Sequence, residues 1–145
     1  FKKFNTSDSA GVLFCSLLDI HVGIITGENS LAVKKRAEKL NIDYCFLGIK
    51  NKVEVAENLL KELKLNWSEV AYIGDDINDI ELLRKVGLSS CPSQSPDYVK
   101  SEVDWISPVK GGDGAFRSFV EYYLSKQNLL QIALDKYFES KKFEQ

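Results

Sequence analysis

Apolar positions along the chain alternate between a helical period and a strand period. Ser7-Asp8 offers caps for an apolar helix reaching Leu18, and the β-branched run His21-Val22-Gly23-Ile24-Ile25-Thr26 predicts a strand that stops at Gly27. Ser30 is positioned to cap a helix to Leu40, with Leu31, Val33, Ala37 and Leu40 at roughly helical spacing. Tyr44 to Leu47 reads as a second strand. Lys52 to Leu65 reads as a helix whose stripe is Val53, Ala56, Leu59, Leu60 and Leu63. Val70 to Ile73, Leu88 to Cys91 and Val103 to Ile106 read as further strands, with helices over Ile77 to Val86 and at Asp97 to Lys100 between them. A helix from Ala115 to about Leu124 and a more polar amphipathic tail from Leu129 to Phe138 close the chain. Near-continuous apolar strands alternating with helices predict an α/β fold with a parallel sheet covered on both faces. The division expected is a core over residues 1–124 and a helical tail over 125–145. The tail either docks on a neighbouring subunit or packs on its own domain.

The chemistry concentrates where the third predicted strand ends. Val70-Ala71-Tyr72-Ile73 runs straight into Gly74-Asp75-Asp76-Ile77-Asn78-Asp79. Crowded carboxylates repel one another unless a cation neutralises them, and hard oxygen ligands suit Mg²⁺ together with a substrate phosphate. Open α/β sheets bind ligands at this same edge. An Asp-rich turn that merely caps the next helix is the plainer alternative. The first strand ends in Thr26-Gly27-Glu28, either a hydroxyl and free backbone N–H groups of the kind that bind phosphate, or simply a strand end at Thr26 and a turn at Gly27. After the second strand, Lys52 stands at a helix start, where a cation opposes the helix dipole and a phosphate role explains its presence; Lys50 competes for that role.

Composition removes some partners from consideration. Nineteen basic against twenty-one acidic residues leave a formal net charge of −2 and no basic excess for nucleic acid. No apolar stretch approaches the ~20 residues that cross a bilayer, so no membrane association is expected. Cys15, Cys45 and Cys91 are odd in number, widely spaced and apolar in surroundings, as buried thiols in a reducing cytoplasm would be. His21 opens a strand and reads as structural. The 145 residues contain no methionine, even at position 1, which points to a piece of a longer protein with a missing part upstream.

A hydroxyl, an ammonium and a carboxylate thus follow one another at successive strand ends. This set resembles the haloacid dehalogenase-like phosphatases, with Thr26 matching their second motif, Lys52 the third and Gly74 to Asp79 the fourth. The spacing to Gly111-Gly112-Asp113-Gly114, and the likeness of Lys2 to Gly11 to the segment after a substrate-facing hairpin, resemble the uncapped subgroup. That subgroup includes the 3-deoxy-manno-octulosonate 8-phosphate and nonulosonate 9-phosphate phosphatases. The resemblance, over about residues 1 to 124, implies a Rossmann-like sheet and a Mg²⁺-dependent, two-step phosphoryl transfer. In that scheme Asp75 holds the metal, Thr26 and Lys52 bind the transferring phosphoryl oxygens, and Asp79 orients Lys52 or a metal-bound water. The family's Asp-x-Asp-Gly motif, with its nucleophile and acid/base, is not in this sequence. The strand that would carry it is expected upstream, and the piece alone is expected to lack turnover.

The resemblance also speaks to the substrate. Octulosonate phosphatases usually carry Thr-Gly-Arg where this chain has Thr26-Gly27-Glu28. Glu28 with Arg36 and Lys39 resembles the nine-carbon pattern, so a nonulosonate 9-phosphate is expected ahead of octulosonate 8-phosphate. Arg36 and Lys39, three apart on a helix, suit a substrate carboxylate or else belong to a solvated face. Uncapped members commonly form tetramers, which is the assembly expected here. A reading of another class is a non-catalytic oligomerisation domain like those appended to sialic-acid cytidylyltransferases.

Overall fold

The computed structural model describes residues 8–142, so Lys2 to Ser7 of the segment likened to the post-hairpin stretch lie outside the described residues. Five short strands are seen: β1 (Gly23–Ile25), β2 (Tyr44–Phe46), β3 (Ala71–Ile73), β4 (Leu88–Cys91) and β5 (Trp105–Ile106). All pairings are parallel. β1 pairs with β2 in the register Gly23 to Tyr44, and β3-β4-β5 forms the other group, with Ala71 opposite Leu88 and Ser90 opposite Trp105. β1 and β3 do not pair among the described residues.

The helices are α1 (Asp8–Leu17), α2 (Leu31–Lys39), α3 (Lys52–Leu63), α4 (Ile80–Lys85), α5 (Asp97–Lys100), α6 (Ala115–Lys126) and α7 (Leu130–Lys142). Their ends follow local chemistry. Ser30 Oγ accepts from the Val33 N–H at 3.4 Å, as its capping position predicts, and Asn51 Oδ1 accepts from the Glu54 N–H at 3.1 Å. Lys64, at φ 58°, turns left-handed and ends α3. The helix expected from Ile77 begins instead as a 3-10 turn, Ile77–Asp79, because the Asp79 side chain reaches back to the backbone preceding it.

Helices cover both faces, as the near-continuous apolar strands require. On one face, Val12, Phe14 and Cys15 of α1 pack with Val120 and Leu124 of α6 and Ala133 of α7. Leu129, Leu130 and Leu134 join that core, whereas Ile132 and Phe138 face outward. On the other face, Ala56 of α3, Leu82 of α4 and Val86 just after it pack against both Ile25 and Tyr72, so β1 and β3 rest on one helical layer without sharing a ladder among the described residues. Full burial of a leucine such as Leu82 or Leu83 contributes roughly 1.5–3 kcal/mol.

α6 has no side-chain cap of its own, since its N-cap is Gly114 at φ 103°. The buried Asp8 supplies one from α1: its Oδ1 accepts the Arg117 N–H at 3.2 Å, across 109 positions of sequence. Replacing Asp8 by Ala is expected to lower the unfolding free energy by about 0.5–2 kcal/mol, the usual worth of a cap. An unchanged urea midpoint would show that the Arg117 N–H finds another acceptor.

The same face holds a pH dependence. Burial, with the Asp43 carboxylate adding to it, pushes the Cys15 thiol up from 9.0 to about 11. The folded protein keeps that proton more tightly than the unfolded chain, so this contribution to stability is complete below about pH 9 and is lost as pH rises through 11. Urea unfolding across that range is expected to show the decline in the wild type and a shallower one in Cys15→Ala.

Candidate functional site

Parallel strands bring the ends of β1, β2 and β3 to one edge. Thr26 follows β1 and is anchored by its backbone: its N–H donates to Phe46 O at 3.0 Å and its carbonyl accepts from the Ile49 N–H at 2.9 Å. Its Oγ1 accepts the Glu28 N–H at 3.1 Å. The side chain is buried, and its hydroxyl proton enters no hydrogen bond among the described residues. Gly27 lies close to both neighbouring strand ends, since a Cβ placed there would sit 3.5 Å from Ile49 O and 3.9 Å from Asn78 Nδ2.

Lys52 opens α3 and is 4% exposed, whereas the competing Lys50 is exposed. The Lys52 Nζ donates to Asp79 Oδ1 at 2.6 Å, so the cation at a helix start answers a buried anion. Asp79 is fully buried, and its Oδ1 also accepts from the Tyr72 hydroxyl at 2.5 Å. Its Oδ2 accepts the backbone N–H groups of Asp75 and Asp76 at 3.0 and 3.2 Å. Burial, then the charge of Asp79, pushes the Tyr72 phenol far up, so Tyr72 is a donor at every physiological pH. Gly74 is required here, because a Cβ on it would lie 2.6 Å from Asp79 Cβ.

The carboxylates of the run thus divide their tasks. Asp79 is committed to holding Lys52 and the loop. Asp76 accepts the Ile77 N–H at 2.7 Å and caps the 3-10 turn, which is the plain capping role weighed from the sequence. Asp75 is half-buried, and its carboxylate forms no hydrogen bond or ion pair among the described residues. It is the acid left for a metal.

Glu28 stays beside Thr26, but Arg36 and Lys39 occupy the last turns of α2. At 1.5 Å per residue they lie roughly 9 and 13.5 Å along the helix from Ser30, and neither shares a hydrogen bond with Thr26, Lys52 or Asp79 among the described residues. The Arg36 Nε is buried with no partner, and Lys39 is exposed. Tyr72 and Asn78 belong to the cluster yet are not singled out by sequence reasoning. A tyrosine in an otherwise apolar strand was the available signal, because a buried phenol needs a hydrogen-bond partner.

Comparisons with known proteins bear on the family. A family model described as haloacid dehalogenase-like hydrolase matches residues 48–118. The 3-deoxy-D-manno-octulosonate 8-phosphate phosphatase of Escherichia coli (strain K12) is 33% identical over 132 residues, covering 91% of this chain and 70% of the relative. The chain belongs to the haloacid dehalogenase-like hydrolases. A crystal structure of a probable yrbi family phosphatase from Pseudomonas syringae pv. phaseolica 1448a aligns with a TM-score of 0.89 at 36% identity, over 95% of this chain and 78% of that one. The octulosonate 8-phosphate phosphatase of Moraxella catarrhalis, solved with magnesium, phosphate and KDO, aligns at 0.88 with 30% identity, over 94% and 79%. The α/β fold and the phosphatase subgroup foreseen from the strand-end residues are those of this family.

Breaking a buried ion pair by removing one partner typically costs 3–5 kcal/mol. Lys52→Ala is therefore expected to lower the unfolding free energy by about 3 kcal/mol, the low end because Tyr72 and two backbone N–H groups still compensate Asp79. Lys50→Ala is expected to stay within about 0.5 kcal/mol of the wild type by the same denaturation measurement.

Proposed function

We propose that the intact protein is a Mg²⁺-dependent phosphatase that removes the terminal phosphate of a 2-keto-3-deoxy sugar acid. The observation that carries this is the buried Lys52 ammonium, held by Asp79 beside Thr26 and Asp75 at adjoining strand ends. Lys52 and the Thr26 hydroxyl would bind phosphoryl oxygens, a fixed set of donors that needs no rearrangement as charge develops. Asp75 fits a Mg²⁺ site, since Mg²⁺ takes one or two carboxylates with phosphate and water for the rest, and this carboxylate is uncommitted. Mg²⁺, when bound, neutralises charge between an attacking carboxylate and the phosphate. The magnesium in the Moraxella catarrhalis relative and the cobalt in that of Haemophilus influenzae support the choice of a divalent ion. No Asp-x-Asp-Gly motif occurs in these 145 residues, so the groups read here are those that would bind the phosphate.

Support for the sugar divides between two acids. The names of the relatives favour octulosonate 8-phosphate. Glu28, which follows Thr26-Gly27 where octulosonate phosphatases usually carry an arginine, favours a nonulosonate 9-phosphate. We place the nine-carbon acid first, because the difference falls at the site itself and specificity resides in site residues more than in the fold. Arg36 and Lys39 would then meet the carboxylate end of the substrate. A homotetramer in the cytoplasm is the setting proposed, and the free thiols of Cys15, Cys45 and Cys91 support that compartment.

Phosphate release by the intact protein from both sugar phosphates, with and without Mg²⁺, tests the proposal. A higher kcat/KM on the nonulosonate 9-phosphate than on the octulosonate 8-phosphate is expected, and Glu28→Arg is expected to narrow that preference. A preference for the octulosonate 8-phosphate would reject the nine-carbon assignment and keep the phosphatase. Silence on both, with Asp-x-Asp-Gly present upstream, would favour the accessory oligomerisation domain.

A further inference from the structure

We infer that Tyr72 is a positioning residue for phosphate binding, acting through Asp79 on Lys52. A carboxylate oxygen has two lone pairs. On Asp79 Oδ1 one receives the Tyr72 hydroxyl at 2.5 Å and the other the Lys52 Nζ at 2.6 Å. Tyr72 thereby denies Lys52 an alternative seat on the same oxygen and fixes where the ammonium stands. It also shares the charge of the carboxylate, so Lys52 is not drawn wholly onto Asp79 and keeps its remaining N–H donors for an anionic ligand.

The phenol ring is packed on two sides. It packs against the clusters of Ala56, Leu82 and Val86 on one side and Leu83, Cys91 and Val99 on the other. Asp79 Oδ2 is tied to the Asp75 and Asp76 N–H groups, so the carboxylate cannot swing to follow a displaced lysine.

This inference rests on reading the strand-end cluster as a phosphate site, and the test separates the two. Inorganic phosphate is titrated calorimetrically into the intact protein with Mg²⁺, for wild type, Tyr72→Phe and Val86→Ala. The last loosens the same core without touching Asp79. Tyr72→Phe is expected to lose on the order of tenfold in phosphate affinity, the scale of one hydrogen bond to a charged group. The ¹⁵N resonance of the Lys52 ammonium is expected to shift or broaden in Tyr72→Phe, while Val86→Ala keeps wild-type affinity and resonance. Wild-type affinity in Tyr72→Phe, or an equal loss in Val86→Ala, overturns the positioning role and leaves the phosphate site standing. A wild type that takes up no phosphate overturns the site reading and this inference with it.

Discussion

A fully buried carboxylate without compensation would be among the most expensive features a chain of this size could carry. Asp79 is such a group, and the local structure is arranged around satisfying it. The Lys52 ammonium supplies a counter-charge, Tyr72 a hydroxyl, and the backbone after Gly74 bends so that the Asp75 and Asp76 N–H groups point inward. Each of these is also a constraint on sequence. Position 74 must lack a Cβ, α3 must begin with a cation despite its dipole, and the helix after β3 must begin as a 3-10 turn.

The same interaction ties fold to site. β1 and β3 share no ladder among the described residues, yet both lean on α3 and α4, and the Lys52–Asp79 pair joins the start of α3 to the loop after β3. The strand ends are thereby held in register by an ion pair and an apolar layer together. Thr26 is fixed independently, through its backbone bonds to the β2 strand and the loop beyond it. Among the described residues the Thr26 hydroxyl proton, part of the Lys52 ammonium and the Asp75 carboxylate remain uncommitted, and these are the groups the proposed phosphate and its cation would use.

Much of this was legible in the chain. The strand cores and the Ser30 cap follow from period and capping chemistry, and β4 spans Leu88–Cys91, the bounds expected for the strand before Pro92. Lys52 was distinguishable from Lys50 only weakly, by the cost of a cation at a helix start, and burial against Asp79 makes the distinction plain. Other features left no local trace. The Asp8 cap on α6 joins residues 109 apart, and the tyrosine in β3 signals a partner for its hydroxyl without saying that the partner is Asp79. Pattern rules describe neighbours along an element, and these contacts are between elements. Glu28, Arg36 and Lys39 stand between the two cases, since the resemblance marks them and α2 keeps the latter two away from the ion pair.

The central claim is that one phosphate seat is formed by Thr26 and by Lys52 as Asp79 holds it, with Asp75 beside it for the cation. The most direct measurement is a crystal structure of the intact protein with Mg²⁺ and orthovanadate. The account predicts vanadate oxygens within hydrogen-bonding distance of both Lys52 Nζ and Thr26 Oγ1, the metal on Asp75, and the Lys52–Asp79 contact retained. Vanadate bound elsewhere, or a Lys52 that leaves Asp79 to reach it, would contradict it.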